Sequence, residues 1–333
     1  MNAPLATLLL LVTLGTAQAD LPAAGAPVES DLAAIDDPGI AGENAPITAT
    51  PATVDEAQPA EPTPAGPAKA APPTTRARMT MPASGRGLQP RSRDDGESRL
   101  QKTEDTVAGG RHWRVQTSAG AVHIWAPPGY DRTTAGTVVY VHGYWTDADG
   151  AWKNYALAQQ FKKSRQNALF IVPDAPSNND QRVQWPALTD LRKAVTRANI
   201  KLPDGPVIVM GHSGAFRTVM QWVDHKAIAQ IILLDAMYAG EAAFDEFIKS
   251  GKRADDHKLI VVAASTATSS TAFIKKYKFA VAREKFPDGV GGFTRRERSA
   301  KLLYVHSQYD HMGIVTGKKV IPTLLRVTPL KAL

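Results

Sequence analysis

The chain contains no cysteine among its 333 residues. This absence excludes disulfide bonds, thiol nucleophiles and cysteine-ligated metal sites. Long apolar runs are also scarce, because only the segment from Leu5 to Leu14 is almost wholly apolar. No other stretch is long and apolar enough to form a transmembrane helix. We therefore expect the mature protein to be soluble or peripheral to a membrane, with no transmembrane segment.

The apolar run near the start is typical of a secretory signal. Small residues follow it and end in Ala-Gln-Ala at 17–19, which matches a cleavage site before Asp20. The segment lacks lysine and arginine ahead of the apolar run, so an uncleaved anchor is the alternative. Residues 1–19 thus predict a signal peptide. Export without disulfides is typical of a bacterial periplasmic or secreted protein.

Residues 20–109 have the composition of a linker. Ala, Pro, Thr and Glu dominate, as in TPATVDEAQPAEPTPAGPAKAAPPTT at 50–75. Such a segment buries too little apolar surface to offset the entropy lost on ordering. We predict a disordered linker over this range and a single folded domain over residues 110–333.

The folded part is more basic than the whole chain, whose net charge is +7, because residues 20–65 contain acids and no lysine or arginine. A basic exported domain attracts anionic envelope surfaces such as phosphate-bearing polymers or lipids. Ordinary solubility is the alternative explanation of this charge. The bases are scattered and no recognition motif accompanies them, so nucleic acid is not an expected partner.

Apolar runs alternate with helical patterns through residues 110–333. A hairpin is predicted around 118–120, strands at 137–143, 168–174, 206–210, 228–235, 258–264 and 301–306, and helices at 149–166, 187–199, from 214, from 241, and at 272–283. Unbroken Val, Ile and Leu runs are typical of strands that are buried on both faces. Their alternation with helices predicts an α/β fold with a mainly parallel sheet flanked by helices.

One predicted strand runs directly into a helix at Gly211-His212-Ser213-Gly214-Ala215. Such a turn strains its central residue, and small neighbours relieve the crowding. The serine would lie at the carboxyl end of a strand, where functional groups gather in parallel sheets. Free backbone N–H groups of the following helix would stabilise an anion there. A serine that merely caps the helix is the alternative.

This turn, the segment VVYVHGYW at 138–145, and the order serine, acid, histidine resemble the α/β-hydrolase family from about Arg111 onward. The turn departs from the Gly-x-Ser-x-Gly pattern only at Ala215. The resemblance implies an α/β-hydrolase fold with Ser213 as the nucleophile. It also implies an oxyanion hole made by the backbone N–H groups of Gly214 and Tyr144. No metal or organic cofactor is implied.

The resemblance leaves alternatives for the base and for the acid. His311 lies in the loop after the last predicted strand, where the family places its histidine, and His306 at the end of that strand is the alternative. Asp235 ends an earlier strand, at a position that some members use, and Asp310 is the alternative. The side chain of His212 is expected to point away from the serine.

Two loops at the predicted catalytic edge mix polar and aromatic side chains. Trp145 follows the oxyanion turn, Trp185 belongs to the loop after the next strand, and Tyr238 lies shortly after Asp235. We take these three aromatic residues as candidate substrate contacts. The mixture suits a polar acyl, peptide or sugar-bearing substrate, although ordinary loop composition explains it as well.

The resemblance implies an exported serine hydrolase that cleaves an ester, most simply a carboxylesterase, through a Ser-His-Asp triad and an acyl-enzyme. An amidase or peptidase that acts on cell-envelope material would use the same groups. A non-catalytic binding module on the same fold is the third hypothesis, because a fold does not entail a function. The expected partner is a small-molecule or envelope-polymer ester or amide.

Overall fold

Three antiparallel strands begin the computed structural model, which describes residues 100–252 and 256–333. They are β1 (Gln101–Val107), β2 (Gly110–Thr117) and β3 (Gly120–Ala126). The predicted hairpin is present as the pair β2 and β3. The folded part starts before Gly110, which corrects the predicted boundary, because β1 pairs with β2 along its whole length. Nearly all side chains of β1 are exposed, so this edge strand lacks the apolar pattern that would separate it from a linker.

Seven further strands complete the sheet. They are β4 (Gly136–Val141), β5 (Ala168–Pro173), β6 (Val207–His212), β7 (Ile228–Leu234), β8 (Lys258–Ala263), β9 (Val281–Arg283) and β10 (Leu302–His306). Within the described residues the strand order is β1-β2-β3-β5-β4-β6-β7-β8-β10-β9. β3 pairs antiparallel with β5, and all pairs from β5 to β9 across the sheet are parallel. The predicted mainly parallel sheet is confirmed.

Helices cover both faces of this sheet. They are α1 (Ala148–Asn154), α2 (Leu157–Ser164), α3 (Leu188–Arg197), α4 (Phe216–Val219), α5 (Glu241–Ser250), α6 (Ala267–Ile274), α7 (Arg295–Ser299), α8 (Gly313–Thr316) and α9 (Val320–Leu325). Side chains alternate along each strand. Val139 and Val209 therefore pack with α3, α5 and α6, whereas Tyr140 and Met210 pack with α1, α2 and α9. No helix in the described part of the chain has the length and apolarity to cross a bilayer.

Two predicted helices are shorter than expected. The helix predicted over 149–166 is interrupted at Ala156, whose φ of 50° is left-handed, and so becomes α1 and α2. The helix after the serine turn consists of a 3-10 turn at Ser213–Ala215 followed by α4 alone. Beyond α4 the chain turns toward the core, where Trp222 is buried and donates its Nε1–H to the carbonyl of Trp185 at 2.8 Å.

The last predicted helix is displaced along the chain. The pattern predicts it over 272–283, whereas α6 begins at Ala267 and ends at Ile274, and β9 occupies the end of the predicted range. Ser and Thr residues fill the first turns of α6, so its apolar period is weak. The buried Phe273 and Ile274 then mark only its end.

Two buried histidines, each paired with an acid, join the first strands to α1. His112 contacts Asp105 at 2.5 Å through Nδ1 and His123 at 2.9 Å through Nε2, and His123 Nε2 lies 2.8 Å from Asp149. Burial, followed by the charge of His112, lowers the pKa of His123 to about 4. His123 is therefore neutral near pH 7, donates to Asp149 and accepts the Nε2 proton of His112. Trp152 stacks on both rings, so α1 is held firmly against the strands.

Candidate active site

Ser213 lies in the sharp turn that links β6 to the 3-10 turn, with a left-handed φ of 53°. Crowding explains the glycines on both sides of it. A Cβ at Gly211 would lie 2.8 Å from Cγ2 of Val219, and a Cβ at Gly214 would overlap the ring of Tyr144. The turn therefore presents the serine at the carboxyl end of β6, as the sequence predicts.

Asp235 follows β7 directly and is fully buried. Its Oδ2 lies 2.7 Å from Nδ1 of His311. The backbone N–H groups of Ala264, Ser265 and Thr266 donate to the carboxylate at 2.9, 3.0 and 2.8 Å, and the Thr266 hydroxyl donates at 2.7 Å. Burial raises the pKa of the carboxyl group, but the hydrogen bonds from His311 and from this loop outweigh it and hold the pKa well below its usual range. Asp235 is therefore ionised at neutral pH.

The ring of Tyr238 lies 6.0 Å from that of Phe216, which begins α4 after the serine turn. Burial and the charge of Asp235 raise the pKa of the Tyr238 phenol, and the side chain of Ser213 lowers it. His311 uses Nδ1 for Asp235, which leaves its Nε2 for a second partner. Among residues 100–252 and 256–333 no hydrogen bond joins Ser213 to His311. Bonds of this kind are often long until a substrate is bound.

The side chain of His212 does not point away from this site, which corrects the sequence prediction. Its Nε2 lies 3.1 Å from the carbonyl oxygen of His311, and the two ring centroids are 4.6 Å apart. Burial, followed by the charge of His311, lowers the pKa of His212 to about 3, so the ring is neutral and donates this hydrogen bond. Alternation along β6 places His212 on the same face as Met210, toward the loop that carries His311.

The loop after β4 packs directly on the serine turn. His142 donates its Nδ1–H to the carbonyl of Gly143 at 2.8 Å and accepts the N–H of Ala175 at 3.0 Å, so it holds this loop in place. A Cβ at Gly143 would lie 2.7 Å from Cβ of Ser213 and 2.9 Å from the carbonyl oxygen of His212. Only glycine therefore permits this approach.

Two backbone N–H groups are available beside the serine. Trp145 has a left-handed φ of 67°, and its N–H donates to the carbonyl of Ser177 at 2.9 Å. Within the part of the chain that the structure describes, no hydrogen bond uses the N–H of Tyr144 or of Gly214. The ring of Tyr144 packs on Gly214, which brings the two residues together. These are the two donors that the resemblance implies.

Arg217 donates hydrogen bonds to the loops on both sides of the site, although no sequence motif marks it. Its Nη1 donates to the Tyr144 hydroxyl at 3.1 Å and to the carbonyl of Asn178 at 3.0 Å, and its Nη2 donates to the carbonyl of Gln181 at 2.8 Å. These partners are 73, 39 and 36 residues away in the sequence. No local pattern could have identified this residue.

The alternative base and acid have other partners. His306 is exposed, and its Nδ1 lies 3.4 Å from a carboxylate oxygen of Glu284. Asp310 accepts the N–H of Gly313 at 2.5 Å, so it caps the start of α8. Neither side chain takes part in the hydrogen bonds around Asp235.

The candidate substrate contacts differ in their exposure. Trp145 is 91% exposed and Tyr238 is 49% exposed, and both lie at the rim of the site. Trp185 is only 5% exposed and belongs to the hydrophobic core, which corrects its assignment as a substrate contact. The loop that carries Trp185 leads into α3, and Trp222 donates its Nε1–H to the carbonyl of Trp185. Among the described residues no group of three or more His, Asp or Glu could hold a metal ion.

Several solved structures are similar to this chain. An S-formylglutathione hydrolase from Agrobacterium tumefaciens is 11% identical, with a TM-score of 0.43, over 67% of this chain and 95% of that chain. The serine hydrolase FphF from Staphylococcus aureus, described as fluorophosphonate-binding, is 9% identical, with a TM-score of 0.43, over 68% and 98%. A feruloyl esterase module from Clostridium thermocellum is 11% identical, with a TM-score of 0.43, over 69% and 88%. Similarity at this level carries no argument about a substrate.

No curated protein sequence matches this chain. A family model does match it: the model described as Alpha/beta hydrolase family covers residues 138–317. That range is more than half of the chain and contains most of β4, all strands from β5 to β10, the serine turn, and the Asp235–His311 pair. The chain therefore belongs to the α/β-hydrolase family.

Proposed function

We propose that the domain is a serine hydrolase that cleaves carboxylic esters, with Ser213 as the nucleophile, His311 as the base and Asp235 as the acid that orients the base. The 2.7 Å hydrogen bond between His311 Nδ1 and the buried, ionised Asp235 carries this proposal. Removing a carboxylate from water costs free energy, which its hydrogen bonds to a histidine and to three backbone N–H groups must offset. Packing alone does not require such a buried charge. The left-handed Ser213 at the same sheet edge supplies the nucleophile that such a pair activates.

The mechanism follows from these positions. His311 Nε2 takes the proton of Ser213 as the serine oxygen attacks the ester carbonyl carbon, and Asp235 stabilises the resulting imidazolium. The carbonyl electron pair moves onto its oxygen, where the N–H groups of Tyr144 and Gly214 stabilise it, each by about 3 kcal/mol. The carbon–oxygen bond to the alcohol then breaks, and the alcohol leaves with the proton from His311. Water repeats the attack on the acyl-enzyme, which releases the carboxylic acid and restores Ser213.

Ester cleavage is favoured over amide cleavage because an alcohol leaves more easily than an amine from the same tetrahedral intermediate.

The decisive experiment treats the purified chain with a fluorophosphonate probe and measures hydrolysis of p-nitrophenyl acetate and p-nitroacetanilide. We expect labelling and ester turnover in the wild type. Ser213→Ala is expected to abolish labelling and to lower kcat by at least about 10⁴-fold.

The matched control is Ser118→Ala, because Ser118 is exposed in the turn between β2 and β3. This variant is expected to label and to turn over like the wild type. A folded wild type that neither labels nor hydrolyses the ester would leave the binding-module hypothesis in its place. Turnover of the anilide without turnover of the ester would instead favour the amidase hypothesis.

Export to the periplasm or beyond is a second part of this proposal. It rests on the sequence of residues 1–19, which lie outside the described residues, as does the predicted linker up to residue 99. Expression of the full chain in a bacterial host, followed by fractionation and amino-terminal sequencing, tests it. We expect a periplasmic or secreted product that begins at Asp20.

Gly143→Ala is expected to reduce kcat for p-nitrophenyl acetate about 100-fold and also to lower the free energy of unfolding. The added methyl group would meet the backbone of His212 and Cβ of Ser213, so the oxyanion turn must move away from the serine. Displacements of about 1 Å in an active site can cost this factor. Gly289→Ala is the control, since a Cβ at Gly289 would have no neighbour within 4 Å. Wild-type kinetics in Gly143→Ala would contradict the role of this close approach.

A further inference from the structure

Exposed apolar side chains concentrate around the proposed active site. The large hydrophobic residues that are exposed in residues 100–252 and 256–333 are Trp145, Tyr238, Phe279, Met312 and Leu333. Three of these five adjoin the site: Trp145 follows Tyr144, Met312 follows His311, and Tyr238 lies three residues after Asp235. Exposed apolar groups that cluster in this way mark a binding surface.

Trp145 contributes little to the stability of the fold. Its side chain is 91% exposed, and its backbone has a left-handed φ of 67° that costs a bulky residue about 1–3 kcal/mol. The bend itself has a structural use, because it directs the Trp145 N–H to the carbonyl of Ser177. Glycine or asparagine would make the same bend at lower cost. The indole is therefore accessible to a molecule outside the protein.

A polar loop adjoins this indole. The N–H of Trp145 holds the loop at Ser177, and Arg217 holds it at the carbonyls of Asn178 and Gln181. Asn179, Asp180, Gln181 and Arg182 are exposed. Their amide, carboxylate and guanidinium groups offer both donors and acceptors beside a flat aromatic face.

Such a combination fits a sugar ring. One face of a pyranose consists of C–H groups that pack on an aromatic ring, and its edge carries hydroxyls that donate and accept hydrogen bonds. A lipid chain packed on this loop would displace water from its polar groups without replacing the lost hydrogen bonds. The surface therefore favours a carbohydrate over an acyl lipid.

We propose that the substrate is an ester borne by a carbohydrate, with a sugar ring stacked on Trp145 and its hydroxyls facing the loop at 177–182. This inference rests on the proposed ester hydrolysis. It adds the class of alcohol from which the acyl group is removed. The reaction releases a carboxylic acid and leaves the sugar hydroxyl free.

The test compares p-nitrophenyl acetate with chemically acetylated xylo-oligosaccharides, from which acetate release is measured. We expect the wild type to hydrolyse both substrates. In Trp145→Ala the ratio of kcat/KM for the oligosaccharide to kcat/KM for p-nitrophenyl acetate is expected to fall about tenfold, mainly through KM, as for other exposed tryptophan anchors. The ratio corrects for any disturbance of the neighbouring Tyr144. Trp145→Tyr retains an aromatic face and is expected to recover most of the ratio.

Phe279→Ala is the matched control, because Phe279 is also an exposed aromatic residue, at 52%, but lies near β9. It is expected to keep both rates. An unchanged ratio in Trp145→Ala, or a wild type that hydrolyses p-nitrophenyl acetate but not the oligosaccharide, would overturn the carbohydrate inference and leave the ester hydrolase proposal intact. Failure on both substrates would instead refute the proposed function itself.

Discussion

Asp235→Asn is expected to lower kcat by about 10⁴-fold without unfolding the protein. The amide lacks the charge that stabilises the His311 cation. It also presents an N–H to Nδ1, which favours the tautomer whose Nε2 carries a proton and cannot accept one from Ser213. Its oxygen can still accept the N–H groups of Ala264 and Thr266, which bind Oδ1 in the structure. Steady-state kinetics with p-nitrophenyl acetate, beside a thermal unfolding curve, measures both parts of this expectation.

Asp310→Asn is the matched control for that experiment. Asp310 was the alternative acid in the sequence analysis, and it lies one residue before His311, but its carboxylate caps α8. We expect wild-type kcat in this variant. A large loss in Asp310→Asn together with a small loss in Asp235→Asn would show that the acid has been assigned to the wrong residue.

The protein is expected to lose stability steeply as the pH falls below 6.5. His212 has a reference pKa of 6.5 and a folded pKa of about 3, because it is buried. Between these values the unfolded chain binds a proton that the folded protein does not, so the free energy of unfolding decreases by about 1.4 kcal/mol per pH unit. His123, with a folded pKa of about 4, adds a second contribution of the same sign. The lowered pKa of Asp235 adds further loss as the pH falls through and below its ordinary value of 3.8.

Urea unfolding at a series of pH values between about 7 and 4 measures this dependence. His212→Gln isolates one contribution, because glutamine retains an N–H for the carbonyl of His311 and does not titrate. Its free energy of unfolding is expected to depend on pH less steeply than that of the wild type, by about 1.4 kcal/mol per pH unit. Ser118→Ala, at an exposed position, removes no titratable group and is expected to keep the wild-type slope. Equal slopes in His212→Gln and the wild type would refute the neutral, buried state of His212.

Most of the parallel sheet could be predicted from the sequence. Each strand from β4 to β8 is buried at every position, or at every position but one, so an unbroken apolar run identifies it without any knowledge of its neighbours. The serine turn was equally local, since Gly211 and Gly214 lie within two residues of Ser213, whose backbone they accommodate. β1 could not be predicted, because the strand pairs with β2 through backbone hydrogen bonds while its polar side chains stay almost entirely exposed.

The sequence by itself determined the buried strands β4 to β8 and the serine turn, because apolar runs and glycine positions are local properties. Only the tertiary structure decided which polar side chains meet. It brought Asp235 to His311, 76 residues away, placed His212 against the same loop, and joined His112 to His123 across the hairpin. It also buried Trp185 and left Trp145 exposed, although both lie in loops that look alike in sequence. The physical reason is that hydrogen-bond partners and burial depend on how distant segments pack, which no short window of sequence contains.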